Sequence, residues 1–240
     1  MFETLSLLEI ALAILAVLAG AAVQAAIGMG LNLFTVPILA LIDPVFVPGP
    51  VLLHSFLLSC AASYGLRADI QWRELGISLI GLIAGTLAGA AALAMVSADI
   101  LPQLFGWLVV VAVVVTAAGL HIPVTVRSLV GAGTVSGAMG TVAGMHGPPI
   151  GLLYQRETPS RVRGALLPFF MFANALSLIA LAAIGRFGWP ELHASALLLP
   201  GLVAGFLAAP LLMRLLGPRA IRFSLLAISG ASGLLLVLRG

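Results

Sequence analysis

Gly137-Ala138-Met139-Gly140-Thr141-Val142-Ala143-Gly144-Met145-His146-Gly147-Pro148-Pro149 closes one apolar block of the chain and opens another. Glycine and proline at this density break a helix and expose backbone N–H and C=O groups. Whether that is a loop or something rarer depends on the solvent around it. Of 240 residues, 62% are hydrophobic and 8% are charged, whereas soluble domains run at about a quarter charged. A soluble surface cannot be built from this composition. The fold class it implies is an all-α polytopic membrane protein, and broken backbone inside a bilayer survives only where protein or water surrounds it.

Working outward, apolar blocks run over Leu5 to Ile27, Leu31 to Ile42, Val45 to Leu66, Leu75 to Val96, Ile100 to Leu120, Val124 to Ala143, Pro148 to Tyr154, Ala165 to Ile184, Leu192 to Met213 and Ala220 to Leu238. Most approach the roughly 20 residues a helix needs to cross the hydrocarbon core. The second and seventh are too short, and each follows a glycine cluster, Gly28-Met29-Gly30 in one case and Gly144 to Pro149 in the other. About eight transmembrane helices are expected, two of them beginning glycine-broken hairpins. The apolar N-terminal stretch carries Glu3 and Glu9 in place of a basic n-region, so it reads as a retained helix and not a signal peptide. Cys60 is the single cysteine and lies in an apolar block, which removes intrachain disulfides and gives metal or redox chemistry no support.

The broken pattern occurs twice. Gly30 and Gly147 lie 117 residues apart, and at the same offset Trp72-Arg73-Glu74-Leu75 falls on Trp189-Pro190-Glu191-Leu192. One residue out of that register, Gly85 and Gly89 fall on Gly201 and Gly205, small-residue pairs that let membrane helices approach closely. The expectation is one integrated transmembrane domain of two repeats, residues 1–120 and 121–240. If each broken pair enters and returns on one side, nine arginines (67, 73, 127, 156, 161, 163, 214, 219 and 222) share a face and Arg186 and Arg239 lie opposite. Counting each broken pair as one crossing leaves five against six and no positive-inside signal. The hairpin arrangement therefore fits, with the basic loops cytoplasmic, both termini periplasmic and an odd number of crossings per half. That oddness makes the repeats inverted, an architecture of transporters.

In such folds the helix ends at the breaks present N–H groups and positive dipole ends to an anion. Substrate contacts are expected from Gly28 and Gly30, from Gly144 and Gly147, from Gln24 and Asn32 beside the first cluster, from His146 inside the second, and from His54 and Asn174 on following helices. Ser59 belongs to the same polar inventory. A lone intramembrane amide, hydroxyl or histidine is as readily glue between helices, and His146 stands out because glycines crowd it; an imidazole also adds a group that titrates near neutral pH. His121 and His193 lie at loop edges. The acidic residues Asp43, Asp69, Glu74, Asp99, Glu157 and Glu191 are all beside loops, so the cavity should be neutral to positive and suit anions over metal cations. The run from Arg156 to Arg163 reads as an orientation signal with internal salt bridges. No cofactor, metal or nucleic acid is called for; lipid is a partner, and the sequence leaves room for a homodimer.

The glycine-broken first helix from Gly20 to Pro37, its echo from Gly137 to Pro149 and the basic loop after it resemble the TauE/SafE sulfite exporter family, also called TSUP. The resemblance covers essentially the whole chain. It implies a multi-pass protein of a bacterial inner (plasma) membrane with seven or eight helices, moving sulfite, sulfonates such as sulfoacetate, or related anions, often outward, with proton coupling by analogy. A passive anion channel using the same helix ends is the alternative. An intramembrane enzyme built on Ser136 and His146 lacks an oriented third group.

Overall fold

The computed structural model describes residues 5–97, 100–119, 122–215 and 217–239, the side chains of 218, 219, 222 and 239 excepted. Glu3, Asp99, Leu120 and His121 and the side chains of Arg219, Arg222 and Arg239 lie outside what is described. Among the described residues ten α-helices follow in order: α1 (Leu7–Ile27), α2 (Leu31–Ile42), α3 (Gly49–Tyr64), α4 (Trp72–Met95), α5 (Leu101–Ala117), α6 (Val126–Ala143), α7 (Gly147–Gly151), α8 (Pro159–Ala183), α9 (Trp189–Leu215) and α10 (Pro218–Arg239). Short 3-10 turns cover Pro44–Phe46, Arg67–Asp69 and Leu152–Tyr154. Helices α8 and α9 begin several residues before the apolar blocks do, because Pro159 and Trp189 start turns that are polar but helical.

By length and composition, α1, the stretch Pro44–Tyr64, α4, α8 and α9 can cross a membrane, while α2, α5 and Phe223–Leu238 are shorter apolar helices. Large apolar side chains such as Ile80, Leu87, Ile179 and Leu207 stand fully outward, which is a stable arrangement only against lipid tails. The protein is a multi-pass membrane protein. At about 1.5 Å per residue, α2 extends only about 18 Å and α7 about 8 Å, well short of the roughly 30 Å core.

Contacts along α4 fix the ends of the molecule. Glu74, in its first turn, accepts from Arg161 at 2.7 Å and from Tyr154 at 2.8 Å. The carbonyl of Val96, just past its last turn, accepts from Arg186 at 2.9 Å. A helix of 24 residues thus separates Arg161 from Arg186. The first broken pair enters at the Arg186 end and returns there, since α3 begins where Gly49 packs on Phe187 and Glu191. The second enters at the arginine-rich end and returns there, since Tyr154 reaches Glu74. Both short elements are re-entrant, and they enter from opposite ends.

Backbone packs on backbone at two helix pairs. A Cβ at Gly81, Gly85 or Gly89 of α4 would strike the carbonyls of Val130, Thr134 and Ala138 on α6, and one at Gly201 or Gly205 of α9 would strike those of Ile14 and Leu18 on α1. Both pairs run parallel. The left-handed C-caps Gly28 and Gly144 set α1 and α6 in correspondence, and in that register the counterparts of Gly201 and Gly205 are Gly81 and Gly85. The sequence alignment of Gly85 and Gly89 with them is therefore one helical turn late. The other large pairings are α3 with α8 and α5 with α10. Exchanging α1–α5 for α6–α10 maps each of these pairings onto another or onto itself.

Candidate functional site

The first break is made by two glycines whose backbones few other residues could adopt. Gly28 ends α1 at φ 89° and Gly30 precedes α2 at φ 120°, with Met29 held between them. The α2 restart leaves the N–H groups of Leu31, Asn32 and Leu33 without helical partners, because the first bond runs from the Phe34 N–H to the Gly30 carbonyl at 3.0 Å. The second break has Gly144 at φ 76°, then Met145 and His146. Gly140 on α6 gives the His146 ring its space; a Cβ there would collide with the imidazole. Gly147 starts α7, but Pro148 and Pro149 have no N–H, so this restart offers far fewer donors than the first. Backbone N–H donors are therefore concentrated at the first restart.

A narrow cavity joins the two breaks, lined by Gln24, Met29, Gly30, Asn32, Leu33, Ser55, Met145, His146, Gly147, Pro148 and Phe170. It encloses about 20 Å³, space for about one water. No Asp, Glu, Lys or Arg among the described residues lines it. Five of the nine residues expected from sequence meet here: Gln24, Gly30, Asn32, His146 and Gly147.

The other four do not line it. Asn174 stands one shell back, donating to Ser55 Oγ at 3.0 Å. Gly144 takes part through its carbonyl, which accepts from Asn32 Nδ2. Gly28 packs against the stem of Arg163, where a Cβ would lie 2.9 Å from Cγ. His54 lies elsewhere, its Nε2 2.9 Å from the Ser195 carbonyl on α9, where it ties α3 to α9.

Polar contacts around the cavity form a chain through both halves. Gln24 Nε2 lies 3.3 Å from the hydroxyls of Ser55 and Ser59, one turn apart on α3. Asn174 connects Ser55 toward the His146 ring, which it neighbours. His146 Nε2 lies 3.1 Å from Ser177 Oγ, itself 2.8 Å from Thr141 Oγ1. The α1–α3 bond from Gln24 to Ser59 thus has its counterpart in the α6–α8 bond between Thr141 and Ser177. Asn32 Oδ1 has no partner, and His146 Nδ1 and Asn174 Oδ1 have none beyond the contact between those two side chains. A buried polar atom left unpaired costs about 1–3 kcal/mol, so Asn32 Oδ1 marks a place where water or a ligand completes the bonding. Ser136 Oγ is also unpartnered, and His146 bonds to Ser177 instead of to it.

Sequence reading missed Ser55, Ser177, Thr141 and Gly140. The spacing of Ser55 and Ser59 on one helix face was the available signal. Within the basic run, Arg161 binds Glu74 and, at 3.4 Å, Glu157. Arg163 has no hydrogen-bond or ion-pair partner among the described residues, and its Nε is buried beside the first break.

A family model described as sulfite exporter TauE/SafE matches residues 12–236. No curated protein matches the chain, and no solved structure does. The matched span takes in both broken helices and nearly every helix around them, and the chain belongs to the TauE/SafE sulfite exporter family.

Proposed function

We propose that this chain is a secondary transporter of small sulfur-containing anions, sulfite or an organosulfonate, and that it exports them from the cytoplasm by alternating access. The family is one of sulfite exporters, which supports an anion of this kind as cargo. The observation that carries the reading is the cavity where both broken helices meet, with no Asp, Glu, Lys or Arg among its described lining residues and three N–H groups of the first α2 turn without helical partners. Those N–H groups, the Ser55 hydroxyl and the His146 ring are donors for an oxyanion. A proton taken up by His146 with the anion would neutralise the pair in a low-dielectric site, which is how proton coupling would arise here.

The cavity as it stands has room for about one water, so a four-atom oxyanion requires it to open. Two inverted repeats, residues 1–120 and 121–240, supply the means: α1 and α6 enter from opposite ends, and rocking one half on the other would expose the same site to either end in turn. The arginine-rich end is assigned to the cytoplasm by the positive-inside rule.

Flux in proteoliposomes tests the reading. Labelled sulfoacetate loaded inside should exchange against external sulfoacetate, and its initial rate should saturate. A rate that rises linearly with concentration and shows no exchange would describe a channel. Labelling of single cysteines in a Cys60→Ser background tests the orientation, with Arg161→Cys expected from the cytoplasmic side and Arg186→Cys from the periplasmic side.

A further inference from the structure

The central cavity has a larger neighbour. A vestibule of about 210 Å³ opens toward the arginine-rich end, between the end of α1, the Leu152–Tyr154 turn and its following loop, and α9 and α10. Its walls include Ile27, Thr116, Gly151, Tyr154, Gln155 and Val162. Met29 is the residue that lines both this vestibule and the central cavity.

We infer that the Met29 side chain is the gate between the vestibule and the anion site, a reading that rests on the transport function proposed above. Three features build it. The thioether seats in a notch where α7 carries no side chains: a Cβ at Gly151 would lie 3.0 Å from Met29 Cε and 3.3 Å from Sδ, and one at Gly147 3.9 Å from Cε. The backbone on each side is a glycine in the left-handed region, φ 89° at Gly28 and 120° at Gly30, so the residue stands out from the chain between two helix ends instead of inside a helical turn. An unbranched side chain with three rotatable bonds changes rotamer at little cost. Its counterpart at the second break, Met145, is fully buried. One break therefore carries a methionine that is partly buried and faces a vestibule, and the other a methionine that is packed shut, as a site closed on one end and nearly open on the other would need. Turning Met29 out of the notch merges the two spaces and lets an oxyanion pass from the vestibule to the α2 N–H groups.

The test reads access without any substrate. In a Cys60→Ser, Ser55→Cys protein in inside-out vesicles, the rate of modification by an anionic methanethiosulfonate reagent is measured with Met29, Met29→Ala and Met29→Trp. The gate predicts a rate about tenfold or more higher for alanine and lower for tryptophan, the two changes being opposite in sign. Equal rates, within about twofold, across whichever variants fold would overturn it, and because each substitution is informative alone, loss of one leaves the other decisive. Sulfoacetate exchange, measured in the Cys60→Ser proteins that keep Ser55, separates the two proposals. Altered reagent access without any exchange keeps the gate and removes the transport reading; exchange with unaltered access does the reverse.

Discussion

The two breaks in this molecule solve one geometric problem with different chemistry. At residues 28–30, two glycines in left-handed backbone let the chain turn and restart with three free N–H groups. At residues 144–149, one such glycine is followed by His146 and by two prolines that remove donors. The first break offers backbone hydrogen bonds and a partly buried methionine, the second an imidazole held against Ser177 by the space Gly140 leaves. Repetition of a helix break thus does not imply repetition of its role. On the proposed function, the site between the two grips an anion from one side with fixed dipoles and from the other with an imidazole.

The largest effect that would separate the breaks is on folding. Gly30→Ala places a Cβ 2.5 Å from Leu225 Cδ1 at a φ of 120°, and strain of that kind costs about 1–3 kcal/mol before the clash is counted. Gly147→Ala meets nothing nearer than Phe170 Cζ at 3.6 Å and should change stability by no more than about 0.5 kcal/mol. Thermal melts in detergent check both, and similar losses at the two positions would erase the distinction.

Next in size is His146→Gln, which is expected to weaken sulfoacetate binding by about tenfold, the scale of one hydrogen bond to a charged group. If the imidazole takes up a proton with the anion, wild-type affinity rises as pH falls, and the glutamine variant flattens that slope. Titration calorimetry across pH reads both. Unchanged affinity with reduced stability would make His146 a packing residue. Asn174→Ala removes the donor to Ser55 and should cost about 1 kcal/mol of stability, with affinity changed less than His146→Gln changes it. The smallest effect belongs to His54→Gln. Its partner is the Ser195 carbonyl, away from the cavity, so the melt should shift slightly and the calorimetric affinity should not.

Much of this arrangement was legible in the chain because its causes are local. Glycine clusters, the two prolines after Gly147 and the arginine pattern mark breaks, restarts and ends without any tertiary information. The re-entrant hairpins follow from arginine placement alone and are what the contacts of Glu74, Val96 and Arg186 describe. The site was legible only in part. Gln24, Asn32 and His146 adjoin breaks and could be picked out, whereas Ser55 and Ser177 look like any helical serine until α3 packs on α8. His54 was drawn into the expected contacts for the same reason: which face of a helix a residue takes inside an apolar bundle is not written in a hydrophobic pattern that surrounds it on all sides. The glycine register between α4 and α9 failed by one turn because several glycines at four-residue spacing align almost equally well, and only backbone contact chooses among them.

On the proposed function, a small sulfur oxyanion binds where the two breaks meet. Its most direct test is the thermal shift of purified wild-type protein and of Gly147→Val with sulfite and with sulfoacetate. The valine adds branched bulk to a cavity wall while leaving the helix pairs untouched. A ligand at about 100 times its Kd adds about 2.7 kcal/mol to the native state, so the wild type should melt measurably higher with at least one of the two anions, and folded Gly147→Val should not respond. A folded Gly147→Val protein stabilised as much as the wild type would place the anion away from the meeting of the two breaks.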